Sequence, residues 1–113
     1  MSSVFPRVRK IGLKLEGAEE GTSYGSPALK VRGQAFVSIP TNAAAEPDSI
    51  VARLSFTERD LRLQAEPKIY YFKEHYEGYP CVLARAKLMT DDALAELLET
   101  SWQWMRTKHK TRQ

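Results

Sequence analysis

Lysine and arginine recur in this sequence at positions that would share one side of an extended chain, and the chemistry such a row performs is neutralisation of phosphate. Lys30, Arg53, Lys68, Arg85 and Lys87, with the aromatic Tyr70 among them, occupy alternate positions of the segments read below as strands. A ring interleaved with cations is the arrangement that combines phosphate contact with base stacking. The same cations would equally keep an open sheet face soluble and discourage edge pairing. Arg7, Lys10 and Lys14 repeat at i, i+3 and i+7 beside an apolar stripe and make a second basic flank. A different mixture, Glu20, Tyr24, His75 and Tyr79, falls in loops and is expected to line one depression, where such groups could hold a polar ligand or pass a proton.

Dedicated catalytic machinery is not legible. Gly21, Gly25 and Gly33 do not form a phosphate-cradling GxGxxG, His75 and His109 stand far apart, and Cys81 is the lone cysteine. Neither a structural zinc site nor an intramolecular disulfide can be built from that set. The expectation is therefore no enzyme, no catalytic residue, no cofactor and no metal. Trp104, two residues from the inward-facing Trp102, is expected to point elsewhere as a contact for a second chain or a ligand.

These residues need elements to hold them. Val4, Val8, Ile11 and Leu15 lie on one stripe and predict a first helix, with Pro6 tolerable in its first turn. Residues 17–27 carry turn formers and acids without apolar period and read as a loop. Ala28 to Val31 and Ala35 to Ile39 flank Arg32-Gly33-Gln34 as a hairpin of open register. A three-residue loop turns Leu29, Val31, Ala35, Val37 and Ile39 to one face, whereas a two-residue loop turns Phe36 inward with Val31. Ile50, Ala52, Leu54 and Phe56 alternate as a third strand, and Thr57 with Asp60 suggests a cap opening a short helix stopped by Pro67. Lys68 to Phe72 and Cys81 to Leu88 read as strands four and five. Thr90 caps a long last helix along Leu94, Leu97, Leu98, Ser101, Trp102 and Met105. The order α-β-β-β-α-β-β-α predicts an α+β, two-layer sandwich: a five-stranded antiparallel sheet with helices on one face. Leu29, Val31, Ala52, Leu54, Ile69, Val82 and Ala84 would then face the helices.

A chain of 113 residues, 42% hydrophobic and 27% charged, has the apolar content and size of one folded domain, residues 1–113. Its net charge of +3 is uneven: residues 1–15 carry +4, residues 106–113 carry +4, and the stretch between them carries −5. Residues 106–113 read as a basic tail of the kind that is often solvated and disordered. No run of about 18 apolar residues is present, so no membrane association is expected. The absence of an apolar h-region makes a cytoplasmic location the expectation, although the acid-free, basic first 15 residues also have the composition of a transit peptide.

Across nearly its whole length the sequence resembles the MmcQ/YjbR-like family. The resemblance rests on Glu19-Glu20-Gly21, Gly25, Pro27, Lys30-Val31-Arg32-Gly33 and Phe36. It continues through Phe56, Glu58-Arg59-Asp60, His75-Tyr76, Gly78-Tyr79-Pro80, Asp91-Asp92 and Trp102. Leu29 departs from the family's frequent Phe, and Thr107-Lys108 from its frequent Pro-Lys. The resemblance implies a sandwich also seen in secretion chaperones, and a DNA-binding role through a double-wing arrangement. Together with the charge pattern, it makes DNA the expected partner, bound through Lys30, Arg53, Arg85, Lys87, Arg7, Lys10 and Lys14 with little reading of base sequence. The alternative is a protein- or peptide-binding, chaperone-like module without catalytic activity, its partner another protein or a second copy in a homodimer.

Overall fold

The computed structural model describes residues 4–41 and 45–110, and of His75 and residues 108–110 the backbone alone. The fold is α+β. Six strands form one antiparallel sheet in the order β1-β2-β3-β4-β6-β5, with β1 Glu19–Ser23, β2 Ser26–Val31, β3 Gln34–Ser38, β4 Ser49–Arg53, β5 Tyr70–Tyr71 and β6 Cys81–Arg85. The helices are α1 Phe5–Gly12, α2 Phe56–Ala65 and α3 Asp91–Lys110. No helix among the described residues is long and apolar enough to cross a membrane.

The strand beyond the expected five is β1, in the segment read as a loop. Its sequence, EEGTS, has no apolar alternation because it is an edge with no core to face. What makes it a strand is the turn that follows, where Tyr24 and Gly25 both take positive φ (52° and 79°), the twist-matched geometry of a two-residue hairpin. Arg32 and Gly33 repeat the device at φ 54° and 80°, which resolves the open register in favour of the two-residue loop. A bulge between Leu29 and Lys30 lets both Phe36 and Val37 reach buried positions on the neighbouring strand.

Leu29, Val31, Ile50, Ala52, Leu54, Val82 and Ala84 are buried toward the helices as alternation requires. Onto them α3 lays Leu94, Leu97, Leu98 and Met105, also fully withdrawn from water. α1 docks through Val8 and Gly12, where a Cβ would strike Leu29 Cδ1, so glycine is what allows the close approach. This helix stops one turn before Leu15 because the Lys14 and Leu15 amides bond back to the Ile11 and Gly12 carbonyls in tightened turns. Arg7 locks α1 to the start of α3, its guanidinium donating to Asp91 Oδ1 (2.8 Å) and to the carbonyls of Ala86 (2.9 Å) and Met89 (2.6 Å). Trp102 Nε1 ties the other end, donating to the Glu16 carbonyl at 2.8 Å. Trp104 is half-buried and packs on the same core rather than pointing elsewhere as expected.

Further expectations are corrected. Phe56 does not continue the strand face. It opens α2, 46% exposed, and the cap is Ser55, whose Oγ accepts from the Glu58 amide at 3.1 Å. Ile69 and Tyr70 amides both bond to the Glu66 carbonyl, and that turn delays β5 to Tyr70–Tyr71. Lys68 therefore sits in a turn, and Tyr70 joins the helix-side core instead of the open face. Lys87 likewise lies in the 3-10 turn Ala86–Leu88, off the sheet. The basic tail starts as helix, since α3 runs through Arg106 to Lys110; residues 111–113 lie outside the described ones.

α2 is held by Arg62, which donates to both oxygens of Glu96 (2.9 and 2.7 Å), to Glu58 (3.0 Å) and to the Tyr70 hydroxyl (2.9 Å). That pairing holds the Glu96 carboxyl below its ordinary range. A depressed carboxylate contributes stability that is complete above the unfolded glutamate value of about 4.3 and disappears as pH falls through the lower folded value. Glu96→Gln is therefore expected to flatten the loss of melting temperature below about pH 4.3, with an unchanged acid profile counting against the pairing. Leu98→Ala is expected to cost about 2 to 5 kcal/mol in a denaturant melt, through lost transfer energy and a residual cavity.

Candidate functional site

On the sheet face away from α1 and α3, Val51, Tyr71, Cys81 and Leu83 form a second buried cluster against which Ala45 and Tyr76 pack. Part of this face is thus covered by loop residues rather than open. The covering segments are held by arginines. Arg85 lies over the Tyr71 ring at 4.2 Å, bonds both oxygens of Glu46 at 2.7 Å and donates to the Lys68 carbonyl at 2.9 Å. This pairing holds the Glu46 carboxyl below its ordinary range. The Tyr71 hydroxyl fixes the same segment by accepting from the Glu46 amide at 2.8 Å and sharing a 2.6 Å bond with Ser49. Buried Arg59 sits between the rings of Phe56 (4.9 Å) and Phe72 (4.6 Å) and donates to the Glu77 carbonyl at 3.1 Å, which positions the loop carrying Tyr76 and Tyr79.

Where the cover ends a cleft begins. A cavity of about 480 Å³ is lined by Ser23 and Tyr24 from the first hairpin, Tyr76 and Tyr79 from the loop before β6, and Ser38 to Thr41 at the end of β3. Val51, Cys81 and Arg53 from β4 and β6 complete it. Burial pushes the Cys81 thiol and the Tyr76 phenol up, so both stay protonated at neutral pH and neither offers a nucleophile. A second concavity, lined by Thr22, Ser23, Tyr24, Lys30, Gln34, Ala35 and Arg53, adjoins the first along Ser23, Tyr24 and Arg53. Arg53 is thus the shared wall. It makes no ion pair or hydrogen bond with another described residue, although it is half-buried.

The expected site residues are distributed as follows. Tyr24 and Tyr79 meet at the cleft, whereas Glu20 pairs in register with Leu29, faces the helix side and lies 3.7 Å from Arg9. The side chain of His75 lies outside the described residues. Among the cations, Arg53 and Lys30 line the cleft, Arg85 is occupied by Glu46, and Arg7 by Asp91 and two carbonyls. Lys10 and Lys14 are exposed on and just after α1, across the sheet from Arg53. Ser38, Thr41 and Arg59 were not legible as site residues, whereas Tyr76 shares the loop of His75 and Tyr79. For Arg59 the available signal was its place between Phe56 and Asp60 in a helix otherwise free to expose it. Among the described residues no group of three His, Cys, Asp or Glu could hold a metal ion.

Tyr24 is the most unusual feature of the cleft. It is 91% exposed and held in the left-handed region at φ 52°, so no packing offsets its backbone strain. A family model, YjbR, matches residues 13–104, a span containing both hairpin turns and every residue lining the cleft. No curated protein matches the chain, and no solved structure does. Tyr24→Asn converts the turn to Asn-Gly, the pair best suited to this geometry, and is expected to raise unfolding free energy by about 0.5 to 1 kcal/mol in a denaturant titration. Destabilisation instead would mean that the exposed ring supports the fold.

Proposed function

We propose, from the premise that this chain belongs to the YjbR family, that it is a nucleic-acid-binding module that holds phosphates with Arg53 and Lys30 and stacks bases on its exposed tyrosines. The observation that carries this reading is the pairing of an uncommitted guanidinium with a strained, exposed aromatic at the mouth of one cleft. A guanidinium without a carboxylate partner keeps its charge and donors for a ligand, and phosphate is one of the two anions whose geometry its fork matches in two bonds. An aromatic kept in an unfavourable backbone conformation, with nothing packed on it, is consistent with selection for a contact rather than for stability. Arg85 is excluded from the phosphate set because Glu46 already holds it in two bonds.

Protein or peptide binding without catalysis is favoured by one separate feature. β1 is a sheet edge, so its outer backbone groups have no partner strand among the described residues and could accept an added one.

Anisotropy titrations of labelled single strands and duplexes at several salt concentrations separate the two readings. Binding is expected to weaken as salt rises, and replacing Arg53 and Lys30 together by Ala should flatten the slope of log affinity against log salt by about 1 to 2 units. Arg85→Ala should leave that slope unchanged and lower the melting temperature. No binding of any strand at low salt would overturn the nucleic-acid reading in favour of the edge-strand one.

A further inference from the structure

We infer that the cavity between Tyr24 and Tyr79 is a pocket for one unpaired nucleotide, its base against the tyrosines and its phosphate on Arg53. This inference deepens the nucleic-acid reading and rests on it. Four properties of the cavity converge. Its volume, about 480 Å³, lies within the range of small-ligand pockets. Among the described residues its lining contains one permanent cation, Arg53, and no carboxylate, so a ligand with an anionic group would balance the site's charge. Three phenolic rings reach it from separate parts of the chain, Tyr24 from the first hairpin turn and Tyr76 and Tyr79 from the loop before β6, against an apolar floor of Val51, Ile39 and Cys81. Flat aromatic ligands are the class that such walls hold through ring faces.

The fourth property is the polar complement. The hydroxyls of Ser23, Ser38 and Thr41 make no hydrogen bond with another described residue. A hydroxyl donates and accepts, so these three can meet the edge of any base or the hydroxyls of its sugar. The pocket therefore selects a nucleotide over a bare phosphate while distinguishing poorly among the four bases. A base inside a duplex cannot enter without leaving its stack, which costs a few kcal/mol, so the pocket favours single strands, ends and gaps. The second concavity, entered past Arg53 and bordered by Lys30, lies where the next phosphate of a strand would pass.

Calorimetric titration of the full chain with the four nucleoside 5′-monophosphates, ribose 5-phosphate, phenyl phosphate and inorganic phosphate tests this, alongside anisotropy with a short single strand and its duplex. All four nucleotides are expected to bind within about tenfold of one another and at least about tenfold more tightly than ribose 5-phosphate, the difference a stacked base supplies. Arg53→Gln, Tyr79→Ala and Tyr24→Ala should each weaken them at least about fivefold with the melting temperature retained, and the remote Lys87→Gln should not. Tyr24 and Tyr79 are exposed enough that at least one of these variants keeps the fold intact. Phenyl phosphate binding as tightly as the nucleotides would overturn the assignment to nucleotides. Strand binding without any mononucleotide binding would overturn the pocket and leave the phosphate-contact reading standing. Mononucleotide binding without strand binding would support the pocket as a site for free nucleotides and remove the strand reading. Silence from both would remove both.

Discussion

The seam between α3 and the sheet is the interaction on which everything else here rests. Leu94, Leu97, Leu98 and Met105 meet Leu29, Phe36, Ile50 and Leu54, all of them fully buried. Burying one such side chain stabilises by about 1.5 to 3 kcal/mol, whereas an exposed ion pair contributes about 1 kcal/mol at most. The seam therefore decides which side of the sheet is core, and the polar ties set orientation. Because α1 and α3 are committed to one side, the other is left to loops, which pack on Val51, Tyr71, Cys81 and Leu83. The cleft adjoins that cluster, and its floor belongs to the same strands whose reverse side carries the core.

Arginine count and arginine availability are different quantities in this molecule. Arg7, Arg59, Arg62 and Arg85 each spread their donors over carbonyls, carboxylates or ring faces, a use that the planar five-donor fork suits better than a lysine would. They bridge elements distant in sequence, so the positive charge is structural. Arg53 differs because the strand opposite it places Cys81 rather than an acid across the ladder. Among the described residues this guanidinium, which lines both concavities, pairs with no carboxylate. The charge left available at this face is therefore set by that one omission more than by net charge.

The sequence was most legible where burial imposes a period. The 3.6-residue stripe of α3 and the alternation through Ile50, Ala52 and Leu54 translate directly into buried faces. Legibility failed where no core constrains the chain. β1 has no apolar residue to count because nothing covers it, and its existence depends on the positive φ of Tyr24, which side-chain pattern does not encode. Tyr70 was assigned to the wrong face because the turn at Glu66 consumes residues that alternation had counted as strand, and in β5 a shift of one residue reverses every side chain. Two caps compete at the head of α2, and Ser55 is the one with extended backbone, φ −62° and ψ 159°, so Phe56 becomes helical. Of the cleft, Tyr24 and Tyr79 could be suspected from the loops they occupy. Ser38 and Thr41 could not, since a hydroxyl at a strand end carries no period, and Glu20 was misplaced because its register with Leu29 turns it to the helix side.

The bonds from Arg7 to residues 86–91 and from Trp102 to Glu16 join opposite ends of the described chain. A ribosome delivers the first four strands well before the helix that shields them. Until α3 emerges, hairpins can pair locally and α1 can reach Leu29, but Phe36, Ile50 and Leu54 lack the layer of Leu94, Leu97, Leu98 and Met105 that completes their core. Vectorial synthesis therefore cannot bank the fold piece by piece. The core contacts that span the sequence can form only when the last helix arrives.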